Sequence, residues 1–220
     1  DRDGYNRLYI YLPQNPNSML QHAQYPLHIT FKIWTLSPNR VSVTDNQGKL
    51  LFVMRQKAFR LKEAIVVYGD EQLSQPLYEI RADRIIDFSA RYNFSDPQVT
   101  DLGGIKRHGM KSLWSAKYDL FDRLSATTPM TTIQEDDPWI KVLDALFSEI
   151  PIVGMFTGYV FNPSYTLARD GGANVMKLSK IPGFFSRHFT IQKVDRLEDR
   201  DEIQSILGIL MMIFLERSRG

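Results

Sequence analysis

The chain has 220 residues, 43% of them hydrophobic and 24% charged, which is the composition of an ordinary globular protein with room for one large domain. Its formal net charge of +2 falls short of the strongly positive balance of a dedicated nucleic-acid binder. The absence of cysteine excludes disulfides, thiolate nucleophiles, cysteine zinc sites and S-acylation.

The chain opens on Asp1-Arg2-Asp3-Gly4-Tyr5, with neither an initiator Met nor a hydrophobic signal core. That start is expected of a trimmed chain or of one that follows another segment, and a cytoplasmic location is the default. Residues 1–26 are rich in Asn, Gln, Tyr and Pro and predict an irregular arm. Pro13 and Pro16 form a Pro-x-x-Pro spacing, which chance prolines produce often.

From Leu27 onward the apolar period becomes two, and residues 27–220 read as one barrel-type domain. Leu27, Ile29, Phe31 and Ile33 alternate with His28, Thr30, Lys32 and Trp34, and Val41 and Val43 continue the pattern. Asp45-Asn46-Gln47-Gly48 supplies a hairpin loop before a strand over Lys49 to Met54. Further strands are expected over Ala64 to Tyr68, Pro76 to Arg81, Ile86 to Phe94, Gly103 to Arg107, Leu113 to Phe121 and Pro129 to Gln134. Short strands at this spacing predict an all-β sandwich or barrel.

Asp137-Pro138 is a cap and first-turn pair, and Ile140, Leu143, Leu146, Phe147 and Ile150 follow at helical spacing, so an amphipathic outer helix is expected before Pro151. There is also an internal echo. Pro38, Asp45 and Gly48 precede the strand Lys49 to Met54 much as Pro163, Asp170 and Gly172 precede a strand over Ala173 to Leu178, as a duplication into two half-barrels would leave them. The chain then reaches Ile206-Leu207-Gly208-Ile209-Leu210-Met211-Met212-Ile213-Phe214-Leu215, in which only Gly208 is not apolar. Ten such positions at 100° per residue leave no polar face, so this helix must be surrounded. It falls well short of the ~20 apolar residues a membrane requires. Its acidic start (Glu198, Asp199, Asp201, Glu202) and basic end (Arg217, Arg219) suit the helix dipole. A sheet surrounds a helix best by closing on itself, and about a dozen strands leave a lumen for a helix of ~10 Å diameter. The expected fold is therefore mainly β: a closed antiparallel barrel of about twelve strands around a central hydrophobic C-terminal helix, with one amphipathic outer helix.

Three segments with this final helix carry a family resemblance: Arg55-Gln56-Lys57-Ala58-Phe59-Arg60-Leu61-Lys62-Glu63, Pro138-Trp139-Ile140-Lys141-Val142-Leu143-Asp144 and Gly158-Tyr159-Val160-Phe161-Asn162-Pro163-Ser164-Tyr165. They resemble the LURP-one-related proteins, a group similar to the tubby carboxy-terminal domain and the phospholipid scramblases. The likeness runs from about Leu27 to Arg217 and implies a twelve-stranded barrel around a central hydrophobic helix.

No nucleophile elbow, His-Glu-x-x-His, phosphate loop or Rossmann glycine pattern is present. His22, His28, His108 and His188 lack ligand spacing, so no metal and no cofactor is expected. In Asp195-Arg196-Leu197-Glu198-Asp199-Arg200-Asp201-Glu202, where scramblases carry a proposed calcium segment, two arginines sit among the acids and no glycine turns the loop; helix capping accounts for it. The basic clusters are more informative. Arg55, Lys57, Arg60 and Lys62 form one, and Lys106, Arg107, His108 and Lys111, joined by Lys117, form another. Such groups suit anionic lipid headgroups, each cation adding ~1 kcal/mol near a charged membrane. A tubby-type headgroup site resembles a lysine and an arginine one residue apart, whereas Arg55-Gln56-Lys57 has the reverse order. The expected function is a non-enzymatic binding or scaffold module for phosphoinositide or another anionic lipid headgroup, peripheral to a membrane or partnered by a protein. Alternatives are a scramblase-like lipid-active protein and an enzyme whose pocket the sequence does not reveal.

Overall fold

A computed structural model of the chain describes residues 16–32, 40–55, 64–84, 90–98, 100–108, 116–123, 125, 127–136, 163–181 and 187–217. Among these residues the period-two segments form twelve strands. In chain order they are β1 (Leu27–Lys32), β2 (Arg40–Thr44), β3 (Leu50–Arg55), β4 (Ile65–Tyr68), β5 (Pro76–Ala82) and β6 (Arg91–Ser95). They continue with β7 (Asp101–Arg107), β8 (Lys117–Phe121), β9 (Thr131–Glu135), β10 (Ser164–Arg169), β11 (Asn174–Ile181) and β12 (Arg187–Lys193). Each strand pairs antiparallel with the next, and β1 pairs with β12 through Leu27↔Ile191 and Ile29↔Phe189, so the sheet closes into a barrel. Alternation decides which way each side chain points: Ile65 and Val67, Tyr92 and Phe94, and Thr131, Ile133 and Glu135 face inward and are buried.

The lumen holds a helix, α2 (Asp199–Arg217), and every residue from Glu202 to Phe214 is buried. Its contacts reach opposite walls. Phe214 meets Phe31 of β1 at 6.2 Å between ring centroids, while Gln204 lies against Gly103 of β7, six strands away in a ring of twelve. A helix lying on the outside of a sheet would not touch both. At Gly208 the helix backbone packs closely on β8: a Cβ there would sit 2.8 Å from Leu120 Cδ2.

Polar groups hold both ends of α2. Near its start, Glu202 accepts a hydrogen bond from Tyr25 Oη at 2.6 Å and pairs with Lys193, and Asp199 accepts from Gln21 Nε2 at 2.6 Å. Near its end, Glu216 accepts from Tyr118 Oη at 2.6 Å and faces Arg107 at 3.7 Å. The acidic stretch before the helix is engaged in such ties, with Asp195 paired to Arg169 at 3.0 Å and Arg200 to Asp122 at 3.0 Å.

The structure departs from the sequence expectations at four places. The supposedly irregular arm contains α1 (Pro16–Gln21), begun by a proline that the first helical turn tolerates and packed on the core through Leu20. Two strands were not anticipated, β10 and β12, whose inward apolar residues are Tyr165 and Leu167, and Phe189 and Ile191. The central helix starts at Asp199, within its expected acidic start, but it buries Glu202, Gln204 and Ser205 as well as the apolar run. Finally, the echoed hairpins share their geometry but not a half-barrel relation. β2–β3 and β10–β11 have equivalent registers (Val43↔Phe52 then Thr44↔Leu50; Leu167↔Met176 then Ala168↔Asn174), each with a bulge at that step and a positive-φ glycine, Gly48 or Gly172, in the turn. Only β1 and β12 separate the two hairpins, whereas duplicated halves would place them six strands apart. The expected amphipathic helix from Asp137 to Ile150 lies outside the described residues.

Candidate functional site

With the lumen filled by α2, the outer wall is the surface that the described strands leave to meet a ligand. Strand alternation splits the second basic cluster. Lys106 points outward and is exposed, whereas its neighbour Arg107 points inward, is 8% exposed, faces Glu216 and stacks over Tyr118 at 5.8 Å. Arg107 therefore belongs to the anchoring of α2. Arg55 is exposed at the end of β3, four strands from the β7 of Lys106 and thus a third of the way around the ring. Those two cations lie on different faces. Lys57, Arg60, Lys62 and Lys111 lie outside the described residues.

The outward side chains of β7 to β11 make a continuous polar wall. Register places Lys117, Gln134, Thr166 and Lys177 in one row across β8, β9, β10 and β11. The adjacent row runs Lys106, Asp119, Thr132, Ala168 and Asn174. A depression of 410 Å³ opens between these rows, lined by Lys117, Thr132, Gln134, Glu135, Asp136, Thr166 and Asn174 around Ala168. Ala168 accounts for its shape: a one-carbon side chain stands between Thr132 and Asn174, at the register step where β11 bulges at Val175.

Two carboxylates organise the polar groups. Asp136 accepts from Thr166 Oγ1 at 2.6 Å and Ser164 Oγ at 2.7 Å and faces Lys177 Nζ at 3.6 Å. Burial opposes its charge, but the two hydroxyls and the lysine outweigh it and hold its pKa below the ordinary carboxylate range. Asp119 accepts from Thr132 Oγ1 at 3.0 Å and meets His108 Nε2 at 2.5 Å. Lys117 forms no ion pair among the described residues, so its ammonium is available to an anion. Of the basic residues singled out in sequence, the wall therefore gathers Lys106, His108 and Lys117. Thr132, Gln134, Thr166 and Asn174 were missed. Their only sequence signal is that the outward positions of β9 and β10 carry small or uncharged polar groups.

The chain matches no protein-family model and no curated protein. An X-ray structure of a protein from Arabidopsis thaliana is similar to it, with 17% identity and a TM-score of 0.48 over 87% of this chain and 93% of that one.

Proposed function

We propose that the protein is a non-enzymatic binding or scaffold module that meets an anionic surface, such as a phosphoinositide-bearing membrane, through the outer wall of β7 to β11. The observation that carries this reading is the placement of Lys106 and Lys117 on one outward face beside a polar depression. A filled lumen supports a surface-binding role, because α2 leaves the barrel interior to its own side chains. It also argues against insertion of α2 into lipid: no helix among the described residues is long and apolar enough to cross a membrane. Two lysines at a charged surface contribute ~1 kcal/mol each, or about fivefold in affinity per residue.

Co-sedimentation with vesicles tests the proposal. Vesicles containing phosphoinositide should retain the protein, those of phosphatidylcholine alone should not, and binding should weaken as salt rises because screening acts over ~8 Å near physiological ionic strength. The folded double variant Lys106→Ala/Lys117→Ala should bind ~25-fold more weakly. Retention equal to that of the unaltered protein would rule out this wall as the binding face.

A further inference from the structure

The depression around Ala168 has a specific hydrogen-bonding character, set by where its hydroxyl protons go. An ionised carboxylate only accepts hydrogen bonds, so Thr166 Oγ1, at 2.6 Å from Asp136, and Thr132 Oγ1, at 3.0 Å from Asp119, must donate their single protons to those acids. Each threonine oxygen then offers only lone pairs to a ligand. The two threonines stand diagonally on β9 and β10, with Ala168 and Gln134 on the other diagonal of the same square. Diagonal neighbours on adjacent strands are about 7–8 Å apart, roughly the width of a six-membered ring with its hydroxyls. Gln134 and Asn174 add amide groups that both donate and accept. On one flank Lys117, in register with Gln134, supplies a cation, while on the other Lys177 is held by Asp136.

This set of groups suits neither a bare anion nor a hydrocarbon. Inorganic phosphate near neutral pH carries one or two protons, but on oxygens too close together to reach two threonines about 7–8 Å apart, and an apolar group would strand them. What satisfies the two threonine oxygens, the two amides and the free ammonium together is a ring bearing several hydroxyl donors and one anionic substituent directed at Lys117. We infer that the Ala168 depression is a binding site for a polyhydroxylated ring carrying an anionic group, such as a sugar phosphate or cyclitol phosphate, either free or as a lipid headgroup. This rests on the outer-wall reading above and adds to it a pocket and a ligand class.

Two charge-matched pairs of probes separate the parts of the inference. In solution, titration calorimetry compares myo-inositol 1-phosphate with inorganic phosphate at equal ionic strength. On membranes, co-sedimentation compares phosphatidylinositol vesicles with phosphatidylserine vesicles of equal surface charge. The inositol phosphate should bind at least tenfold more tightly than phosphate, and Ala168→Leu, which fills the depression without changing charge, should remove that difference. Thr132→Val/Thr166→Val should do the same while preserving volume, so the test survives if the leucine variant does not fold. A preference for phosphatidylinositol vesicles larger than the soluble preference identifies the lipid as the source, and an equal preference identifies the free polyol anion. Equal affinity for the two soluble anions, or a folded Ala168→Leu protein that keeps the preference, overturns the ring site. If both vesicle types bind equally and Lys106→Ala/Lys117→Ala weakens both, the basic wall stands and the ring site falls. If no probe of either kind binds, both readings fall.

Discussion

Replacing Gly103 with alanine probes whether α2 is clamped inside the barrel. The experiment pairs it with Gly48→Ala, because both glycines have positive φ, +94° and +81°. An alanine side chain at Gly48 meets nothing within 4 Å, so that variant pays only for the left-handed backbone, about 1–2 kcal/mol. At Gly103 the added Cβ would lie 2.1 Å from the Phe121 carbonyl oxygen and 2.3 Å from Gln204 Nε2. A backbone carbonyl of β8 cannot swing aside as a side-chain tip does, so the overpacking costs a further 1–3 kcal/mol or so. Gln204 Nε2 also donates to that same carbonyl at 2.6 Å, and displacing it leaves a buried donor and acceptor unmatched, at about 1–3 kcal/mol. The expected loss at Gly103 is about 3–8 kcal/mol, comparable with the ~5–15 kcal/mol total of a typical domain. Urea unfolding followed by circular dichroism at 25 °C measures both variants, with unchanged m-values confirming that the comparison is of stability alone. Gly48→Ala should fold with a small shift, and Gly103→Ala should lose several times more or fail to fold. Losses within 0.5 kcal/mol of each other would refute the clamp.

Leu210→Asp, which places a charge at a position 1% exposed between the barrel walls, should abolish cooperative folding; a melting temperature near that of the unaltered protein would contradict a central helix. Lys193→Ala should destabilise by about 1–3 kcal/mol in urea, because Glu202 would then keep only its Tyr25 hydrogen bond in a buried setting. Tyr25, Tyr78 and Tyr165 all have raised pKa values, through burial first and then through Glu202, Asp96, and Glu135 with Glu216 respectively. A raised pKa favours the neutral phenol in the folded state, so this stability is complete below the unfolded tyrosine value of ~10 and is lost as pH climbs above it. Absorbance at 295 nm should therefore show these phenols ionising only together with loss of secondary structure, and ordinary titration of every tyrosine in the folded protein would argue against their burial.

The fold was largely legible in sequence because two of its signals are strong. An apolar run with no polar side can only be enclosed, and period-two segments such as Leu27 to Phe31 face a core with alternate residues. Signals weakened where the wall needs fewer apolar contacts: β10 and β12 spend their outward positions on Ser164, Thr166, His188 and Thr190, and so read as loop. The burial of the polar start of α2 was also invisible, since Glu202 and Gln204 are tolerated there because Lys193, Tyr25 and the Phe121 carbonyl receive them, and of these only Lys193 lies nearby in sequence. The site was less legible still. Charge clustering along the chain ignores alternation, and it joined Lys106 to Arg107 although the pleat turns them to opposite faces. The depression arises from register across four strands and one bulge, neither of which a linear pattern encodes.

The order of parts along the chain has a consequence for how the protein is made. All twelve strands precede α2, and the ring closes only when β1 meets β12. During synthesis the wall therefore leaves the ribosome before the helix that fills it, at about 5–20 residues per second. For that interval the inward apolar faces have no partner, and β1 stands as an open edge awaiting a strand made much later. Folding of this domain is thus deferred to the end of its own translation. The nascent chain depends on whatever shields unfinished sheets from one another, and a ribosome stalled before Asp199 holds a wall without a core.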